Sequence, residues 1–304
     1  MKCFTPITLQ KTKVLAPCGR CYACLRNKQR EWFVRLTEEA KVAKNCFFVT
    51  LTYDNNHLPT DKDGNTYVCK KDVMYFRKRL YKNMGSPSDF RYYIASEYGP
   101  KTMRPHYHGL LFNVSETDII KLHAIVRKSW SKQKKVGSME REYFCHPRGI
   151  TIDEVNSNRI GYITGYVMES KKDLQCGKKV FSLKSKGLGK NYLNSETRIA
   201  WHRQNIFEHN YYPLPDGKKM ALPEYYRNKI YSEAMKEAVK QVKARETMEI
   251  IPAPGKTCKL TGEMNMLNTT DSRIITTKKA HEKQRRKKEG AKRRYEKLLK
   301  NRIL

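Results

Sequence analysis

The sequence predicts an α+β fold: a mainly antiparallel central sheet flanked by helices, with a helical C-terminal extension. Three short runs, Cys46 to Tyr53 (CFFVTLTY), Arg91 to Glu97 (RYYIASE) and His106 to Asn113 (HYHGLLFN), are rich in the aromatic, β-branched and leucine residues that suit a pleated surface. The second and third flank GPKTMRP at 99–105, whose Gly and Pro punctuate the chain as a hairpin turn does. Helical periodicity lies before, between and after these runs, so the order reads α-β-α-β-β followed by more helix, which is α+β and not alternating β/α.

Each element has its own local signal. Leu25, Trp32, Leu36, Ala40 and Ala43 form one apolar stripe of a helix over 25–43, with charges opposite. Residues 71–83 (KDVMYFRKRLYKN) predict a helix between the first two strands. Pro223 opens a further helix, to about residue 246, in which Tyr226, Ile230, Ala234, Ala238 and Val242 recur every four residues. Residues 251–277 are turn-rich and read as a linker. Residues 278–304 carry 13 Lys+Arg against 3 Asp+Glu, a pattern that fits either a basic helix docking on a nucleic-acid backbone or a solvated helix with no specific target. The expected division is therefore a Cys-rich segment with the first helix (1–45), a main domain (46–200), a helical extension (201–250), and a linker with a basic tail (251–304).

Composition narrows the partners. The 304 residues hold 62 Lys+Arg and 30 Asp+Glu, a formal charge of +32. Such a chain repels itself unless a polyanion supplies the missing charge, so nucleic acid is the expected partner. Nineteen tyrosines within an 11% aromatic content exclude a merely disordered basic chain. No run approaches 18 apolar residues and the N-terminus has no apolar signal core, so neither a membrane span nor secretion is expected. Nine cysteines then read as reduced thiols, some of them metal-bound, and not as a disulfide framework.

Two constellations carry chemistry. His106 and His108 alternate with Tyr107, so a strand points both imidazoles to one face. By itself, a His-x-His strand is more often a core or surface pair than a ligand pair. Glu97, at the far end of the same hairpin, adds the carboxylate that a hard divalent cation needs beside two neutral imidazoles. Tyr162 and Tyr166 are four residues apart in GYITGYVMESKK, which puts both phenols on one helix face. A core-facing aromatic stripe is the plain reading. The chemical one is a pair of nucleophiles activated by the nearby cation, with Lys171 or Lys172 neutralising charge that builds on phosphorus. A third pattern, Cys18, Cys21 and Cys24, is one ligand short of a closed Zn²⁺ site; Cys3, Cys46, Cys69 or His57 could complete it, and free or buried thiols are the other reading.

Taken together, RPHYHGLLF, FFVTLTYDNNHLP at 47–59 and SEYGPKTMRPHYH resemble the motifs of HUH endonucleases, the metal-dependent tyrosine nickases that start rolling-circle replication. PCGRCYACLRNKQREWFVRL at 17–36, FSLKSKGLGKNYL at 181–193 and LPEYYRNKIY at 222–231 are similar to segments of replication initiators from gokushovirus-type Microviridae, small single-stranded DNA phages. The resemblance covers about residues 15–235. It implies a Rep-like HUH fold, Glu97, His106 and His108 as ligands of Mg²⁺ or Mn²⁺, and Tyr162 and Tyr166 as paired nucleophiles. Gly165 and Glu169 stand where related chains often carry lysine, so Lys171 or Lys172 takes that place here. The implied activity is site-specific DNA nicking and strand transfer through a 5′-phosphotyrosine in the host cytoplasm, on single-stranded or melted origin DNA. No phosphate-binding G-x4-G-K-[ST] loop occurs, so host helicase and DNA polymerase are expected as partners. The alternatives are a non-catalytic basic nucleic-acid-binding protein, in which the histidines are incidental, and a transposase or relaxase of the same architecture.

Overall fold

The computed structural model describes residues 3–10, 15–99, 102–134, 140–166 and 179–248. A two-residue ladder, β1 (Ile7–Thr8) with β2 (Leu15–Ala16), precedes helix α1 (Tyr22–Val42). Then follow β3 (Cys46–Leu51), α2 (Lys70–Asn83), the hairpin β4 (Arg91–Tyr98) and β5 (Pro105–Phe112), and α3 (Ile119–Ser129). A short hairpin of β6 (Ser131–Gln133) and β7 (Arg141–Tyr143) leads to β8 (Ile150–Glu154), α4 (Ser157–Gly165) and β9 (Ser182–Lys184). The remainder is α5 (Glu196–Gln204), a hairpin of β10 (Tyr211–Pro213) and β11 (Lys219–Ala221), α6 (Glu224–Ile230) and α7 (Glu233–Met248). The α+β architecture is as the sequence implies.

The central sheet has the order β8-β3-β5-β4-β9 and every pairing in it is antiparallel. Period-two alternation sorts its side chains onto two cores. Phe47, Val49, Leu51, Ile94, Tyr107 and Leu111 face one side, where Val73, Phe76 and Leu80 of α2 and Leu122 and Val126 of α3 cover them. Phe48, Tyr93, Ala95, Leu110 and Phe112 face the other, where Trp32 and Leu36 of α1 meet Ile160 and Ile163 of α4. The indole of Trp130 plugs the end of the first core: it is fully buried, donates from Nε1 to the Thr52 carbonyl at 2.6 Å and touches the rings of Tyr53, Phe76, Tyr107 and Phe144. Trp130→Ala is expected to cost about 3–5 kcal/mol, read as a lowered denaturant midpoint, because a large cavity opens beside an orphaned carbonyl.

The 25–43 stripe does bury Leu25, Trp32 and Leu36, but α1 also buries Arg35, Glu38 and Glu39 on its flank. These charges attach the C-terminal third of the described chain. Arg35 lies between the rings of Trp32 and Tyr225, at 4.3 and 4.1 Å, and donates to the Leu188 carbonyl at 3.1 Å. Glu39 accepts from Gly189 N and pairs with Arg91 at 2.8 Å, while Lys41 donates to Glu38 at 2.6 Å. A third core of Val34, Tyr192, Tyr212, Leu222, Tyr226 and Ile230 fills in behind them. The expected single helix over 223–246 is instead two: α6 stops at Tyr231, in extended backbone, and Ser232 starts α7 by accepting from Met235 N at 3.3 Å. The four-residue apolar period runs through that break and so hides it. The linker and basic tail at 251–304 lie outside the described residues.

His202 in α5 is fully buried; its Nδ1–H donates to the His209 carbonyl at 2.6 Å and its Nε2 accepts from Tyr192 at 2.8 Å. Burial pushes its pKa below the ordinary imidazole range. The unfolded chain therefore binds this proton first, and the contribution to stability is complete above about pH 6.5 and declines as the pH falls below it. Thermal midpoints from pH 7.5 to 5 should fall, and less so in His202→Gln.

Candidate active site

Strand register gathers the carboxylate and both imidazoles. Glu97 of β4 stands directly across from His106 of β5, and Ala95 across from His108, so Glu97, His106 and His108 share one sheet face. It is the face that α4 covers. The two strands are central in the sheet, and Tyr107 between the histidines anchors the opposite face at full burial. Asn156 starts α4 by accepting from Arg159 N at 3.0 Å, which fixes the helix on the sheet.

His108 is the hub. It is 7% exposed; Nε2 lies 2.9 Å from Glu97 Oε2, and Nδ1 lies 3.2 Å from Thr50 Oγ1, its cross-strand partner on β3. The imidazole stacks on Tyr166 at 4.9 Å and 8° and meets Tyr162 edge-on at 5.5 Å. The two phenol rings are themselves 5.1 Å apart. Phe48 stacks on the other side of His108 at 5.6 Å, and Arg159, paired with Asp153 at 2.9 Å, lies over Phe48 at 5.0 Å. Both phenols and the strands that carry the imidazoles therefore meet on one flank of the molecule.

The tyrosines differ in exposure. Tyr162 is 47% exposed and Tyr166 2%. Burial pushes the Tyr166 phenol far above its ordinary range, and the negative Glu97 beside it adds to the effect. Gly165 does not kink α4 early: the helix runs to Gly165 and Tyr166 caps it in helical backbone. Lys171 and Lys172 lie outside the described residues.

The donor set of one carboxylate and two imidazoles suits a hard divalent cation. His106 Nδ1 is buried without a hydrogen bond of good geometry, although the Arg104 backbone lies close enough to favour the protonated ring slightly; burial is the larger effect and lowers its pKa. Its ring leans toward Gly99, where a β-carbon would stand 3.1 Å from Cε1, so only glycine leaves that space. Glu97 and His108 are already drawn together, whereas the full set with His106 is not: among the described residues, the group whose ligand atoms all lie within 4.8 Å of one another is Cys3, Cys18, Cys21 and Cys24, elsewhere at the start of α1. His57, weighed as a partner for those cysteines, instead bridges Asp54 at 2.6 Å and Glu142 at 2.7 Å. Thr50, Phe48 and Arg159 escaped the sequence reading because their places depend on β3 pairing with β5 and on α4 folding back over the sheet.

Residues 46–172, which contain every side chain of the proposed cation and tyrosine site, match the family model of replication-associated protein ORF2. The chain is 28% identical over 223 residues to replication-associated protein VP4 of Bdellovibrio phage phiMH2K, across 70% of this chain and 66% of that one. It is 36% identical over 108 residues to replication-associated protein ORF2 of Spiroplasma virus 4, across 34% of each, and 24% identical over 155 residues to replication-associated protein ORF4 of Chlamydia phage 1, across 50% of this chain and 38% of that one. The chain thus spans less than two thirds of the length of each of these relatives. No solved structure matches it. The fold and these matches make the chain a relative of phage replication-associated proteins, with the sequence of the ORF2 family in its central segment. Among the described residues, no helix is long and apolar enough to cross a membrane.

Proposed function

We propose that the chain initiates replication of a small single-stranded DNA phage as an HUH endonuclease, nicking its origin and rejoining strands through a 5′-phosphotyrosine. The observation that carries this reading is the packing of the His108 ring against both phenols while its Nε2 meets Glu97. Mg²⁺ or Mn²⁺ held by Glu97, His106 and His108 would polarise the scissile phosphate. Thr50 fixes the His108 ring by taking its Nδ1 side, so Nε2 is the nitrogen free to change partner.

Tyr162, the exposed phenol, is the first nucleophile. Its oxygen bonds to phosphorus and gives up its proton, the P–O3′ bond breaks, and the 3′-hydroxyl leaves carrying a proton. The 5′-phosphate stays esterified to tyrosine, so the bond energy is kept and no nucleotide triphosphate is consumed. Tyr166, held protonated by burial and by Glu97, is suited to the later cleavage that ends the round. Arg159 and Lys184, the latter 4.5 Å over the Trp32 ring, offer positive charge on the same side of the sheet for the incoming backbone. Lys171 or Lys172 would neutralise charge on the transferring phosphorus. Host helicase and DNA polymerase supply unwinding and synthesis in the host cytoplasm.

The test is incubation with tiled single-stranded oligonucleotides of the encoding replicon, with Mn²⁺, read on denaturing gels. Site-specific cleavage that needs the cation is expected; retention of DNA without cleavage under any cation would favour a non-catalytic binding protein. Thr50→Val should raise the Mn²⁺ concentration for half-maximal nicking about 10–100-fold, the usual effect of removing a ligand's outer partner.

A further inference from the structure

The nicking chemistry leaves one constellation unused. Cys3 Sγ lies 3.5 Å from Cys18 Sγ and 3.7 Å from Cys21 Sγ, and the sulfurs of Cys3, Cys18, Cys21 and Cys24 are all within 4.8 Å of one another. Tetrahedral zinc with thiolate bonds of about 2.3 Å sets its sulfurs roughly 3.8 Å apart. A disulfide needs about 2.0 Å and would join only two of the four. The other described cysteines, Cys46, Cys69 and Cys145, are no part of this group.

The surroundings are those of thiolates. Cys18 Sγ accepts from the backbone N–H groups of Arg20 and Cys21 and from the Thr5 hydroxyl, each at 3.3 Å. Cys3 Sγ accepts from Cys18 N at 3.3 Å, and Cys21 Sγ from Phe4 N at 3.4 Å. Such donors orient sulfur ligands and spread their charge. Gly19, at φ 67°, makes the turn that lets Cys18 and Cys21 face one point, and Cys21 and Cys24 open α1, whose N-terminal dipole favours negative charge. The segment has little else to hold it. Among its described residues the regular structure is the two-residue ladder, and Ile7 and Leu9 are 48% and 44% exposed, so they bury no apolar core against the rest.

We propose that Cys3, Cys18, Cys21 and Cys24 bind one structural Zn²⁺ that ties the N-terminal segment to the first turn of α1. Since α1 packs through Trp32 and Leu36 against Ile160 and Ile163 of α4, the ion braces the wall that carries the tyrosines.

Full-length protein purified under reducing conditions without chelator should contain about one zinc per chain by elemental analysis, falling below about a tenth in Cys3→Ser while Cys46→Ser keeps it. Exchange of the wild-type chain with Co²⁺ should give the strong visible bands and thiolate charge-transfer absorption of a tetrahedral tetrathiolate, a readout that holds even if Cys3→Ser fails to fold. Adding a strong chelator should lower the thermal midpoint, and Zn²⁺ should restore it. Folded wild-type protein with no zinc and no cobalt–thiolate bands overturns the proposal, as does iron in the ion's place or a disulfide between any two of the four cysteines.

Discussion

Converting both Tyr162 and Tyr166 to phenylalanine is expected to abolish covalent attachment of DNA, to below about a thousandth of the wild-type rate, while the protein stays folded and still retains DNA. The phenyl ring left by Tyr166→Phe keeps the stack on His108, and Tyr162 is too exposed for its hydroxyl to matter to stability. The loss would therefore be chemical. The single variants should separate the roles: Tyr162→Phe removes most of the first cleavage, and Tyr166→Phe leaves first cleavage while impairing release of closed circles. Time courses on denaturing gels with a labelled 5′ or 3′ end distinguish the two.

Glu97→Gln should reduce nicking by about 10²–10³-fold, since the charge that holds the cation is lost while shape is kept. The amide oxygen of the variant side chain can still accept from His108 Nε2–H, so the 2.9 Å contact survives and the thermal midpoint should move little. DNA retention on a gel, driven by Lys and Arg, should be unchanged. A drop in nicking matched by a drop in folded protein would instead make Glu97 a packing residue.

Much of this site was legible because it rests on local geometry. Alternation fixes His106 and His108 on one strand face, and the hairpin places Glu97 across from them, all within twelve residues of chain. The four-residue spacing of Tyr162 and Tyr166 needs only one helical turn. What sequence could not supply was long-range pairing. Thr50 reaches His108 only because β3 lies beside β5, fifty-eight residues away in the chain, and the covering of that face by α4 depends on the packing of Ile160 and Ile163 beneath α1. The strands β8 and β9, of five and three residues, are too short to show a period and went unread. Similarly, spacing named Cys18, Cys21 and Cys24 but left the fourth partner open, and the fold brings in Cys3 from fifteen residues upstream of Cys18.

The central claim, a phenol oxygen joined to the 5′ end of nicked DNA, is tested most directly by mass spectrometry of the tryptic peptide at 160–171 (IGYITGYVMESK) after reaction with a cleavable oligonucleotide and Mn²⁺. The expected result is a nucleotide adduct on that peptide, located by fragmentation to Tyr162 in wild type and displaced to Tyr166 in Tyr162→Phe. Cleaved DNA with an unmodified peptide, or an adduct on any other residue, would contradict it.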